Sequence, residues 1–197
     1  MLKKNEWVYR HILILTMEKK ATRFTQLELS KYFKISLSTV NNALEPLRRM
    51  GCITVQQRFF TITDTRKLLL YWATIRNIQR DLLYTTRMNA SIKEIENLVP
   101  SDAVFTAYTA YKLLYKEAPA DYSEVYFYIP QETLPEIKER FPKSKGPPNV
   151  FVLEGDPFLL NGKHPLVSGP QLYVDLWNLK EWYAQEFLTA LEKRLKR

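Results

Sequence analysis

Within the segment from Leu37 to Arg49, Ser38, Asn42 and Arg49 fall on one stripe of helical spacing, flanked by Thr39, Asn41, Glu45 and Arg48. Most of these side chains suit recognition of a polyanion. Asn offers an amide matched to an adenine edge, Ser and Thr hydroxyls reach bases or phosphates, and Arg forks onto guanine or phosphate. Lys31 upstream and Arg58 downstream add cations suited to phosphate or the minor groove, and Ser36 stands where the helix should begin. The chemistry expected is non-covalent recognition of double-stranded DNA by Lys31, Ser36, Ser38, Thr39, Asn41, Asn42, Arg48, Arg49 and Arg58. The alternative is a solvated polar face of the kind most surface helices carry.

The flanking sequence predicts elements able to hold that face outward. Thr25 is a candidate N-cap for a helix with Leu27, Leu29, Tyr32 and Phe33, and Lys34-Ile35-Ser36 reads as a tight turn whose Ser36 caps the next helix. In that second helix Leu37, Val40, Leu44 and Leu47 form an apolar stripe expected to pack inward. Pro46 lacks the N–H that would bond the Asn42 carbonyl, so the helix is expected to bend or to end its regular part early. Gly51 closes it. Ile53 to Val55 and Phe59 to Thr63 then read as strands joined around Gln56, Gln57 and Arg58. With a first helix over Glu6 to Lys19, residues 1–66 are expected to form a winged helix-turn-helix.

Residues 67–197 alternate candidate strands and helices. A helix over Thr65 to Ile75, capped by Thr63 and Asp64, is expected to link the halves. Strands follow at Leu82 to Thr86, Val125 to Ile129 and Val150 to Leu153. Helices are expected after Ser91, whose Glu94 has capping-box spacing, and over Thr106 to Tyr115, Gln131 to Arg140, Pro170 to Trp177 and Lys180 to Arg197, with a loop from Gly162 to Gly169. The class predicted is mixed α/β (α+β): an N-terminal winged helix-turn-helix followed by a C-terminal α/β domain. Charge divides unevenly. Residues 1–66 hold 12 Lys and Arg against 5 Asp and Glu, whereas residues 67–197 hold 17 against 16. An excess of +7 beside +1 fits a nucleic-acid module joined to a regulatory or partner-binding domain. Cys52 is the only cysteine, which excludes an intrachain disulfide and points to a reducing cytoplasm. The apolar run Ile12 to Leu15 is too short for a signal-peptide core, and no stretch approaches membrane-span length.

Motifs for catalysis are missing: there is no H-E-x-x-H, Walker A, G-x-S-x-G or dinucleotide glycine fingerprint. The two histidines, His11 and His164, read as helix and loop residues, and Asp102, Asp121, Asp156 and Asp175 are scattered. Hence no catalytic residue, metal or cofactor is predicted. Tyr108, Tyr111 and Tyr115 share one helix side and offer a stack for a ligand or partner, with core packing as the favoured alternative. Lys193, Arg194, Lys196 and Arg197 suit a helix C-terminus electrostatically whether or not they meet phosphate.

Four segments carry a more particular likeness: FTAYTAYKLL (Phe105 to Leu114), EVYFYIP (Glu124 to Pro130), NVFVLEGD (Asn149 to Asp156) and VSGPQLYVDLWNL (Val167 to Leu179). Together with the N-terminal motif, the chain resembles the regulator-antitoxin family of type IV abortive-infection toxin-antitoxin systems over most of its length. The Gln171 to Leu176 run is the most particular piece. The resemblance implies DNA binding through the N-terminal domain, repression of its own operon at inverted repeats, where a homodimer can assemble on DNA, and neutralisation of a nucleotidyltransferase-like toxin partner. The alternative is a stand-alone regulator whose C-terminal domain senses a small molecule. The helix-turn-helix departs from the commoner pattern at Ser30, where Ala is frequent, and at Lys34, where Gly is frequent and tolerates positive φ.

Overall fold

The computed structural model describes residues 3–161 and 164–195, and the chain divides into two units between Arg76 and Asn77. In the first unit, α1 (Lys4–Glu18) is followed by β1 (Arg23–Phe24), α2 (Gln26–Phe33), α3 (Leu37–Arg49), β2 (Ile53–Val55), β3 (Phe60–Ile62) and α4 (Thr65–Ile75). Side-chain caps set where three of these helices begin. Thr25 Oγ1 accepts from the Glu28 N–H at 3.1 Å while Glu28 Oε2 accepts from the Thr25 N–H at 3.2 Å, a reciprocal box that starts α2. Ser36 Oγ accepts from the Thr39 N–H at 3.0 Å and Asp64 from the Lys67 N–H at 2.8 Å, starting α3 and α4.

Lys34 ends α2 in the left-handed region at φ 52°. Ser30 braces the turn that follows, its hydroxyl donating to the Ile35 carbonyl at 2.6 Å. The Ser30 departure thus has a local role, and the turn, expected to differ for want of a glycine, keeps its left-handed residue. At the far end of α3, Gly51 takes φ +69°, and the Gly51 and Cys52 N–H groups return to the Arg48 and Leu47 carbonyls at 2.9 and 2.8 Å. This is a Schellman closure, which needs the left-handed residue that glycine supplies most cheaply. The helix was expected to bend or end early at Pro46. It does not end early but continues as one element to Arg49, because the proline removes a single bond within the last turn.

Val40, Ala43, Leu44 and Leu47 are buried at 0–1% exposure, but Leu37 is 50% exposed, which corrects the expected stripe of Leu37, Val40, Leu44 and Leu47. Leu37 lies in the first turn and roughly 70° from the centre of the buried stripe at 100° per residue, so it occupies the margin of the apolar face. The two-residue β1 was not foreseen. It pairs antiparallel with β3 through Arg23 with Thr61 and Phe24 with Phe60, giving a three-stranded sheet of order β1-β3-β2. The Phe24 and Phe60 rings stack with centroids 5.6 Å apart.

The first unit also extends beyond the boundary expected at Arg66. α4 belongs to it, since the Trp72 indole N–H donates to Glu6 on α1 at 3.0 Å and Leu68, Leu69, Trp72 and Ala73 are buried. An amphipathic helix with a wide apolar face packs rather than spans.

The second unit contains β4 (Leu82–Thr86), α5 (Ile92–Leu98), β5 (Val104–Thr106), α6 (Ala107–Tyr115), β6 (Val125–Ile129), α7 (Leu134–Arg140), β7 (Val150–Glu154), α8 (Pro157–Leu160), α9 (Gly169–Trp177) and α10 (Ala184–Leu195). Its sheet has the order β4-β7-β6-β5, with β6 and β7 parallel and the other neighbours antiparallel. All five residues of β6 are buried, as a central strand covered on both faces must be. Ile95, Phe127, Ile137, Phe141 and Val152 belong to one core cluster of this unit. The chain is therefore mixed α/β, of the α+β kind. Within the segment expected to be a loop before α9, Gly162 and Lys163 lie outside the described residues, and α10 begins at Ala184 rather than Lys180.

Candidate nucleic-acid interface

The outward face of α3 carries Ser38 and Asn42 exposed to solvent, with Lys31 on α2 and Arg58 in the β2–β3 turn also exposed. The turn is closed by the Gln56 N–H donating to the Phe59 carbonyl at 2.8 Å, which holds Arg58 at the tip of the hairpin. Redrawn at Arg76, the charge division sharpens: residues 1–76 hold 14 Lys and Arg against 5 Asp and Glu, and residues 77–197 hold 15 against 16. The first unit therefore carries +9 and the second −1.

The remaining expected residues are tied to one another. Glu45, which shares the stripe of Ser38, Asn42 and Arg49, accepts from Arg48 at 3.1 Å and from Arg49 at 3.0 Å. Arg48 also donates to the Asn41 side-chain oxygen at 2.7 Å. The two arginines differ in access, with side chains 28% exposed for Arg48 and 78% for Arg49. Thr39 and Ser36 hydroxyls lie 2.8 Å apart and complete the helix cap. Ser38, Asn42, Arg49, Lys31 and Arg58 are thus exposed, while Asn41, Arg48, Ser36 and Thr39 brace the helix. The sequence reading missed Leu37 as a surface residue. Its position in the first turn, at the margin of the stripe, was the available signal.

In the second unit the tyrosine stripe is core. Tyr108 and Tyr111 are 0% exposed, so neither ring offers a face to a base or flat effector, which corrects that candidate role. The Tyr108 hydroxyl donates to Glu181 at 3.2 Å, and burial followed by the nearby Glu181 raises its pKa far above the ordinary value. Tyr115 is partly exposed and lies under the Arg194 guanidinium at 4.4 Å, which also donates to the Tyr111 hydroxyl and pairs with Glu117. Arg194 is consequently engaged inside its own unit, and Lys196 and Arg197 lie outside the described residues. The Tyr183 hydroxyl is held by Glu124, and its pKa is pushed up to about 12 by burial and then by that carboxylate.

The carboxylates do not gather. Asp175 is fully buried and accepts from Thr106 at 2.7 Å, Tyr128 at 2.8 Å and Gln171 at 3.0 Å. Gln171 and Asp175, the polar members of the run that carries the family likeness, therefore knit α9 to β5 and β6. Asp156 caps α8 through the Phe158 and Leu159 N–H groups, and Asp102 and Asp121 are exposed. Among the described residues no three His, Cys, Asp or Glu side chains gather in a way that could hold a metal ion. No helix among them is long and apolar enough to cross a membrane. No family model, curated protein or solved structure matches this chain.

Proposed function

We propose that the chain is a sequence-specific DNA-binding regulator of transcription, acting as a repressor, whose first unit is a winged helix-turn-helix with α3 as its reading helix and the β2–β3 hairpin as its wing. The observation that carries this reading is the exposed Ser38, Asn42 and Arg49 stripe, held by a buried apolar stripe, on a unit of charge +9. A reading helix needs hydrogen-bonding side chains outward and a rigid support inward, while a basic unit gains affinity by releasing counterions from phosphates. Asn42 and Ser38 serve as base-edge groups, and Arg49, Lys31 and Arg58 serve as phosphate or minor-groove groups.

Footprinting of the full chain on genomic fragments, including the region upstream of its own gene, tests the reading. Protection of a discrete site is expected; uniform cleavage at every protein concentration contradicts it. The family resemblance extends the proposal to autoregulation of a type IV toxin-antitoxin operon and antagonism of a nucleotidyltransferase-like toxin by the second unit. Co-purification with the product of an adjacent nucleotidyltransferase-like gene tests that extension, and failure to form a complex removes it without touching DNA binding.

A further inference from the structure

Three apolar side chains of the first unit stay about half exposed beside one another: Leu27 at 52%, Leu37 at 50% and Val55 at 45%. They come from the first turn of α2, the first turn of α3 and the end of β2, and they line a single groove of about 230 Å³. Gln26, Gln57 and Arg58 contribute to its lining, and none of the described residues lining it is acidic. Resting on the DNA-binding reading above, we propose that this groove receives the 5-methyl group of thymine, with Leu37 making the contact and Leu27 and Val55 backing it.

A reading helix presents its N-terminal residues to base edges, and Leu37 is the first residue of α3. The thymine methyl is the one alkyl group on the major-groove edge of the base pairs. An exposed leucine at this end therefore has one matching partner on duplex DNA. Charge selects duplex DNA over an apolar peptide as the occupant, because Arg58 and a unit of +9 surround a groove lined by no acid. The amide side chains around the leucine suit hydrogen bonding to neighbouring polar base edges or sugar-phosphate groups.

The experiment begins with duplexes selected from a randomised pool by the full chain, resynthesised with uracil replacing each thymine in turn. Dissociation constants are read by fluorescence anisotropy at one salt concentration. Loss of the critical methyl is expected to weaken wild-type binding about fourfold, the contribution of roughly one buried methylene. Leu37→Ala is expected to bind the thymine and uracil duplexes equally with an unchanged salt slope, and Leu37→Met to keep the discrimination. Tolerance of uracil at every position by the wild type, or full discrimination by Leu37→Ala, overturns the inference. Self-association lost in Leu37→Ala while DNA discrimination persists assigns the groove to a second copy and also overturns it. A chain that enriches no duplex contradicts DNA binding itself, so the two failures are distinct.

Discussion

Glu45 restrains both arginines of the proposed interface. Such partly exposed ion pairs contribute about 0–1 kcal/mol each, so a phosphate can replace the carboxylate at small cost. Arg49, at 78% exposure, is freer to make that exchange than Arg48, at 28% and also bonded to Asn41. Arg49→Ala or Arg58→Ala is therefore expected to weaken all duplexes and lower the salt slope by about 1, and Arg48→Ala to act mainly on helix stability. Asn42→Ala is expected to cost about 1–3 kcal/mol at one base pair and to relax preference there; equal losses on every sequence would contradict a reading role. His11 tests a different property. It packs against Tyr32 and Phe33, and burial, then the neighbouring Arg10, lowers its pKa from the usual 6.5. A base with a depressed folded value binds fewer protons folded than unfolded, so the stability it supplies is complete above 6.5 and declines as pH falls through that value. Thermal midpoints measured from roughly pH 7.5 to 5.5 should fall more steeply for wild type than for His11→Gln; parallel curves would remove His11 from the account.

The α2–α3 turn makes the clearest prediction for an element. Lys34 has a side chain yet takes φ 52°, where a glycine avoids the steric cost of about 1–2 kcal/mol that Cβ incurs. Glycine also loses more chain entropy on folding, about 0.4–1 kcal/mol, so Lys34→Gly should stabilise the unit by about 0–1.6 kcal/mol. A lower thermal midpoint would show that the lysine side chain contributes more than its backbone strain costs. The caps at Thr25, Ser36, Asp64 and Ser91 were readable in the sequence, because each rests on short-range hydrogen bonding, whereas the turn, expected to differ for want of a glycine, takes positive φ at Lys34 all the same. β1 was not readable: two residues, Arg23 and Phe24, are too few to show alternation, and only their pairing with β3 makes them a strand. Spacing alone does not set burial at the margin of a stripe, which hid the exposure of Leu37, and the membership of α4 rests on the long-range Trp72–Glu6 bond, which sequence order does not reveal. The outward polar stripe of α3 was legible. The bonds tying Arg48 and Arg49 to Glu45 were not, since side-chain choice among several partners at helical spacing is not determined by sequence order.

At the scale of the whole molecule, charge and chemistry are divided between the units. The first carries +9 and the exposed hydrogen-bonding helix face; the second carries −1 and a buried polar network around Asp175. On the proposed reading, DNA affinity should accordingly reside in residues 1–76. A fragment of residues 1–76 includes α3, its buried support and α4 with the Trp72–Glu6 bond. It should keep sequence preference, and it should bind more weakly where paired half-sites let linked binding events reinforce one another. The decisive measurement is fluorescence anisotropy of the full chain and of this fragment on the footprinted duplex across a salt series. The slope of log affinity against log salt per bound chain counts neutralised phosphates, so the two slopes should agree within error. A fragment that is folded by circular dichroism yet loses most of the slope would place the phosphate contacts in residues 77–197 and contradict the assignment of DNA recognition to α3 and its hairpin.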